Sequence, residues 1–505
     1  MAGDGGLADA DGVGTGGEAA RLGDGDEVAQ DAEFHAGILA LPQRQGDRNH
    51  PALDGKGRAV EAEPDTSPNR RNTMATLDTA PERAARARRA GIASFVGTAV
   101  EWYDFYIFGT AAALVFGTVF FPSASPAAGL LASFATLWVG FVARPLGGVI
   151  FGHLGDRFGR RGTLVTTLVL MGAATTCIGL LPGYHTIGVA APVLLVLLRF
   201  LQGVAVGGEW GGAVLMASES AEKGRGIFAG MFVQQGSPAG SILATLAFLA
   251  ASQLDDAAFL SWGWRVPFLI SAVLVVIGLV VRLKVEETPE FTARVEERKP
   301  ERAPIMQVLT RHPVAVVFAL MASVSGIGAA YFTNTFMLSY TTSELAVPRQ
   351  TMLNILLVLA IVQFLWQPFA ALIAERVGPA RFMTVALLGN VVVALPMFLL
   401  VQTAQPGAIL LGLVLSIITG SAYYAVLAGF LAAAFPPEVR YTGISVSYQL
   451  CSTLIGGTTP FIAQFIVNRT GGWGGIAVFY VIILLVTVAG VVGLAAHNRR
   501  QVRSA

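Results

Sequence analysis

The sequence predicts an all-α membrane protein of twelve transmembrane helices built as two six-helix repeats. Three observations carry this. The 505 residues are 54% hydrophobic and 13% charged with a mean hydropathy of +0.61, a balance that a soluble globular domain of this size does not show. From about 92 to 496 the chain is a series of apolar stretches of some 20 to 30 residues, each long enough to cross a ~30 Å hydrocarbon core. Sequence patterns in the first six stretches recur, worn, in the last six.

The twelve expected spans are 92–121, 128–151, 162–182, 190–217, 226–252, 264–284, 313–341, 350–374, 382–402, 406–434, 441–467 and 473–496. The longest polar connection, 285–312, divides them. The chain is therefore organised as an N-terminal segment 1–90, a first half 91–284, a linker 285–312, a second half 313–496 and a tail 497–505. Residues 1–73 hold 14 acidic and 7 basic side chains among Gly, Asp and Ala, without a hydrophobic period, so they are expected to be disordered. No basic segment followed by a short apolar core marks a signal peptide. Met74 opens an ordinary cytosolic start, and the stretch before it reads as an upstream extension.

Basic residues fix the expected orientation. With the N-terminus inside, cytosolic connections after Met74 carry 22 Lys and Arg, and the outside carries Arg265, Arg349 and Arg469. That asymmetry obeys the positive-inside rule and puts both termini in the cytosol of a plasma-membrane protein. The repeat is visible in HLGDRFG (His153 to Gly159) after span two and LIAERVG (Leu372 to Gly378) after span eight. Likewise Arg225-Gly226-Ile227 at span five is matched by Arg440 and Gly443-Ile444 at span eleven. Parallel six-span repeats place a binding site between the halves near the midplane.

Five ionisable residues remain inside spans, all in the first half: Glu101, Asp104, Arg144, Arg199 and Glu209. At ~3 kcal/mol each on insertion scales, they must pair or line a wet cavity. Three acids and two arginines leave one carboxylate over, and a carboxylate without a partner in a low-dielectric site binds a proton more readily. Glu101 and Asp104 are three apart, and Arg199, Gln202 and Glu209 share a helical spacing, so these faces are expected to converge on a polar cavity, with Arg144 facing Glu101 and Glu209. A static ion-pair cluster that fixes helix packing is the competing explanation. Gly203, Gly207, Gly208, Gly211 and Gly212 form small-xxx-small steps for close helix approach. Pro238 and Pro368 are either hinges or tolerated kinks.

Several functions are excluded or weakened. The bases form no groove for nucleic acid. Cys177 and Cys451 lie in apolar runs and the six histidines in tails or connections, so no metal or cofactor set is written. A membrane enzyme or non-transporting sensor would need a nucleophile or a soluble domain, and neither is evident. Thirty arginines against four lysines fit a GC-rich bacterial genome. No partner beyond lipid, metabolite and protons is implied, and a monomer suffices.

Five motif groups in order, FVGTAVEWYDFYIFG (Phe95 to Gly109), FVARPLGGVIFGHLGDRFGRR (Phe141 to Arg161), RFLQGVAVGGEWGGA (Arg199 to Ala213), GWRVPF with EETPEF (Gly263 to Phe268, Glu286 to Phe291) and RYTGISVSYQL with GGTTP (Arg440 to Leu450, Gly456 to Pro460), resemble the metabolite:proton symporter family of the major facilitator superfamily. The resemblance covers nearly all of 90–496. It implies rocking of two halves about a central site, driven by proton entry, with Glu101, Asp104 and Glu209 as proton-coupling candidates. It also implies a cytosolic latch in which Asp156 holds the start of span eleven and Arg157, Arg160 and Arg161 meet Glu219. The second copy has Glu375 and Arg376 but Pro379-Ala380 in place of paired arginines, so that latch, with Arg440 opposite the first, should be weaker. Substrates of the family are small organic acids such as shikimate, citrate and α-ketoglutarate, or zwitterions such as proline and betaine, and the stretches around Gly208 to Ala213 and Ser261 to Arg282 look most like the shikimate-type branch. Arg144 and Arg199 suit a carboxylate. Gln202, Gln234, Gln235, Tyr423 and Tyr424, with Asn334, Gln363 and Gln449, are the expected neutral hydrogen-bonding groups; Gln449 stands where relatives commonly have Asn. Export of amphipathic compounds is the alternative within transport.

Overall fold

A computed structural model describes residues 80–158, 160–207, 214, 225–283, 304–436 and 439–504. Each expected span, over its described residues, falls on a helix or a run of consecutive helices. These are α1 (Ala80–Leu114), α2 (Pro126–Phe158), α3 (Arg160–Leu180), α4 (Ala190–Val206), α5 (Gly226–Gln234 with Gly236–Ala251) and α6 (Arg265–Leu283). The second half holds α7 (Pro313–Tyr331, continuing to Ser343), α8 (Arg349–Val377), α9 (Pro379–Gln402), α10 (Pro406–Ala432), α11 (Arg440–Cys451, continuing to Thr470) and α12 (Gly474–Ser504). Among the described residues, eight helices are long and apolar enough to cross a membrane, with Val165–Leu180 and Ala190–Val206 as shorter apolar helices. The charges of α1 and the break in α5 keep those two from this group.

Local chemistry sets the helix ends. Proline occupies the first turn of α7, α9 and α10, where its missing N–H costs nothing. Gly378 (φ 96°) and Gly471 (φ 64°) turn the chain from α8 to α9 and from α11 to α12 in a conformation that disfavours a β-carbon. The two prolines left open by the sequence differ. Pro368 lies inside the unbroken α8, whereas Pro238 follows the break of α5 at Gln235, where its ring opposes the carbonyl of Gln234 four residues back. Two differences from expectation stand out. The first helix begins at Ala80, well before Ile92, because PERAARARRA is rich in strong helix formers. The linker also contains a helix, Pro304–Arg311, immediately before α7.

The packing repeats. In the first half α1 packs on α5 and α6, α2 on α4, and α3 on α4 and α6; in the second, α7 packs on α11 and α12, α8 on α10, and α9 on α10 and α12. Adding six to each partner in the first half yields the second. Contacts between halves are mirrored too, α2 with α11 and α8 with α5.

Glycines let these helices touch. A side chain at Gly203 would run into the Gly140 carbonyl, and one at Gly207 into the carbonyl of Arg144, so α2 and α4 cross backbone to backbone. Gly230 and Gly429 do the same between α5 and α10. Gly208, Gly211 and Gly212 lie outside the described residues. Gly203→Val should therefore lower stability by about 1–3 kcal/mol, while Gly162→Ala, which has open space around it, should stay within about 0.5 kcal/mol; thermal unfolding of the detergent-purified variants checks both.

Candidate functional site

The charges of the first half separate into two groups around one ring. Asp104 points into the first-half bundle, fully buried, and accepts hydrogen bonds from Ser271 Oγ of α6 (2.6 Å) and Thr175 Oγ1 of α3 (2.9 Å). Gln202 Nε2 donates to Thr175 Oγ1 (2.8 Å), and Arg199 Nη1 donates to Gln202 Oε1 (2.5 Å). A continuous chain of buried polar groups thus runs from Asp104 to Arg199. The Arg199 guanidinium rests on the rings of Phe108 (4.1 Å) and Phe105 (5.0 Å).

Arg144 forms the second group. Its guanidinium lies on Phe105 (4.3 Å) and Phe141 (4.5 Å), and Nη1 donates to Ser452 Oγ of α11 (2.9 Å). Arg144 and Glu101 share surroundings, since both lie within electrostatic reach of Tyr331 and Tyr448 in the second half. Glu101 therefore also borders the second half, whereas the hydrogen bonds of Asp104 to Ser271 and Thr175 stay within the first. Three residues of helix separate them by about 60°, enough to turn Glu101 toward the second half and Asp104 away from it. Arg144 Nε, Arg199 Nε and Arg199 Nη2 are buried without a hydrogen-bond partner among the described residues.

A small cavity opens between the second half and α5. Its polar lining comes mostly from the second half, Ser325, Asn334, Gln363, Asn390, Ser421 and Tyr424 among them, with Ser237 from α5. Ser325 Oγ and Ser421 Oγ are buried there without partners among the described residues. At one end Ser416 joins Asn390 (3.0 Å) and Tyr480 (3.0 Å). Tyr331 links the two regions: its chain neighbour Ala330 lines the cavity, and its ring meets Phe141 edge-on at 5.1 Å.

The expected site residues fall into different places. Tyr424 lines the cavity, but Tyr423 donates its hydroxyl to the Ala322 carbonyl and faces the α7 backbone, because adjacent residues on a helix point about 100° apart. Gln202 is consumed by Arg199 and Thr175 and does not reach the cavity lining. Gln234 and Gln235 bridge the halves through the carbonyls of Tyr424 (3.1 Å) and Phe364 (2.9 Å), and Gln449 does so through Gly207 (2.8 Å). Glu209 and Glu219 lie outside the described residues, as do the side chains of Asp156, Arg157, Arg160 and Arg161. Thr175, Ser271, Asn390, Ser416 and Tyr480 were not anticipated, since a lone hydroxyl or amide in an apolar run carries no spacing signal.

Contacts between the halves lie at both ends of their interface. At the end carrying the termini, Glu375 Oε1 accepts the Phe228 N–H (2.9 Å) in the first turn of α5, a carboxylate at a positive helix end. Arg440 donates within its own segment to Phe435 O (3.2 Å). At the other end Arg349 pairs with Asp256 (3.1 Å), and Trp138 donates to Thr453 O (3.0 Å) in a π-helical turn, Ser452–Gly456, that also presents Ser452 to Arg144.

Glu375→Gln should loosen the first of these contacts, because a neutral amide oxygen is the weaker acceptor at a helix N-terminus. A cysteine placed at Ile227 in a Cys177→Ser, Cys451→Ala background should then react with an impermeant maleimide about two- to tenfold faster than with Glu375 present; an unchanged rate would show that Glu375 does not hold this end.

The Major Facilitator Superfamily model matches residues 94–447. The shikimate transporter of Escherichia coli is 42% identical over 400 residues, 78% of this chain and 91% of that protein. The proline/betaine transporter of Salmonella typhimurium is 34% identical over 396 residues, 76% of this chain and 79% of its own length. Among solved structures, the D-xylose-proton symporter superposes with a TM-score of 0.63 at 17% identity over 81% of this chain and 97% of that one, which establishes a common fold. Helix order, duplicated packing, family match and close relatives agree that this chain belongs to the Major Facilitator Superfamily.

Proposed function

We propose that the protein is a proton-coupled symporter that takes up a small carboxylated metabolite, with a hydroxylated organic acid such as shikimate as the best-fitting class. The observation that carries this reading is Arg144, whose guanidinium is held by two aromatic rings with Nε unpartnered among the described residues, in a protein whose second half lines a cavity with neutral hydroxyl and amide groups. A carboxylate satisfies such a cation. Ring hydroxyls satisfy Ser325 and Ser421, whose Oγ atoms lack partners among the described residues, whereas the N-methyl groups of a betaine would leave these two without partners at a cost of about 1–3 kcal/mol each. The 42% identity to a shikimate transporter supports the same class.

In this reading Glu101, Asp104 and Glu209 are the groups available to carry the proton, and Arg144 meets the substrate carboxylate while Arg199 anchors the buried chain to Asp104. Asp156, Arg157, Arg160, Arg161 and Glu219 on one side, and Glu375, Arg376 and Arg440 on the other, hold the basic end shut. The arginine bias supports a plasma-membrane protein with both termini in the cytosol.

Uptake of radiolabelled shikimate, α-ketoglutarate, citrate, proline and betaine into proteoliposomes, with and without an inward proton gradient, tests the proposal. Gradient-dependent accumulation of shikimate is expected; accumulation of betaine or proline alone would reject the hydroxylated-acid class, and accumulation indifferent to the gradient would reject symport. Arg144→Gln should weaken apparent substrate affinity about tenfold or more, the loss of a charge-assisted hydrogen bond.

A further inference from the structure

The hydroxyl of Thr175 has more partners than it has hydrogens. Thr175 Oγ1 lies 2.9 Å from Asp104 Oδ2 and 2.9 Å from the Met171 carbonyl four residues back, and it accepts from Gln202 Nε2 at 2.8 Å. A hydroxyl carries one hydrogen and two lone pairs. The two oxygens that face it, a carboxylate and a carbonyl, cannot both receive that hydrogen along a straight bond. The conflict disappears when Asp104 is protonated at Oδ2: the acid then donates to Thr175, Thr175 donates to Met171, and both lone pairs are filled by Asp104 and Gln202. When Asp104 is ionised, the Thr175 hydrogen turns to Oδ2 and the helix carbonyl gives it up, as a helix carbonyl already bonded within its helix does readily. Ser271 donates to Oδ1 in either state.

Resting on the proton-coupled reading above, we infer that Thr175 is the positioning residue of the proton site, its single hydroxyl hydrogen turning between Met171 and Asp104 as Asp104 Oδ2 gains and loses the proton. One O–H bond forms at Oδ2 with a proton drawn from water on one side and breaks with its release to the other; no other bond changes. The groups that face Asp104 leave it the switching partner: Thr175 from α3, Ser271 from α6, Arg199 from α4 acting through Gln202, and Glu101 and Tyr103 from α1 itself. Arg144 of α2 and Tyr331 of α7 lie within electrostatic reach of Arg199, and Tyr331 also of Glu101. Because Gln202 holds Thr175 in both states, the chain to Arg199 stays intact while charge appears and disappears at its other end. Both protonation states of a fully buried carboxyl are thereby satisfied, which a static ion pair would not require.

Infrared difference spectra of the reconstituted full-length protein, recorded between acid and alkaline pH without substrate, test this. A protonated-carboxyl C=O band should titrate in the wild type and be lost in Asp104→Asn. In Thr175→Val the band should change frequency, and its midpoint should move to higher pH by about 1 to 2 units, because the bond lost to the ionised form is charge-assisted and the stronger of the two. Thr175→Ser, which keeps the hydroxyl, should restore both. A titrating band that survives Asp104→Asn, no titrating band at all, or identical spectra in Thr175→Val and wild type would overturn the inference. If Thr175→Val does not fold, Thr175→Ala is read by the same criteria. Since no substrate enters the experiment, failure here is distinct from failure of the uptake assay: uptake without the band rejects the role of Thr175, and the band without uptake rejects the assigned substrate.

Discussion

Everything in the first half is arranged around the cost of keeping guanidinium groups in a place without water. Arg199 is fully buried and Arg144 nearly so, and the described contacts of both are rings, hydroxyls and an amide. Phe105 lies against both cations. An aromatic face attracts a cation without neutralising it, so each arginine keeps charge that remains available to an anion. The glycine crossings follow from the same need, because Arg199 sits where a side chain at Gly140 would stand.

The second half repeats the packing and drops the charge. The positions that face the cavity there are serines, amides and tyrosines, and the end of the cavity is closed by the Ser416, Asn390 and Tyr480 cluster. Duplication supplied two bundles with the same neighbour relations, and divergence gave one of them the ionic work and the other the neutral recognition surface. Between them several bridges run from side-chain amides or hydroxyls to backbone carbonyls, as at Gln234, Gln235, Gln449 and Thr453. Bonds of this kind hold a closed interface with modest energy each, which suits halves that must part in every cycle.

Much of this was legible in the sequence, and the reasons are physical. Twelve apolar runs, the midpoint linker and the repeat could be read because hydrocarbon thickness imposes a length and insertion imposes a charge asymmetry. The five charges in spans could be read because charge there is rare. What side chains do with three-dimensional neighbours could not. Glu101 and Asp104 share a helix face loosely enough to turn toward different halves; Tyr423 and Tyr424 are adjacent and face different surroundings. Thr175 and Ser271 are ordinary hydroxyls until α3 and α6 bring them to Asp104. The break at Gln235 and the π-helical turns at Phe332–Met337 and Ser452–Gly456 leave no compositional mark, since one hydrogen-bonding register replaces another in an equally apolar run.

The central claim is that charge balance in the first half ties entry of an anionic metabolite to entry of a proton. It is tested most directly by recording external pH in lightly buffered, unpowered proteoliposomes when shikimate is added. The account predicts alkalinisation of the outside medium that starts with shikimate entry, scales with it and collapses with a protonophore. Shikimate entry with no accompanying proton uptake would contradict it.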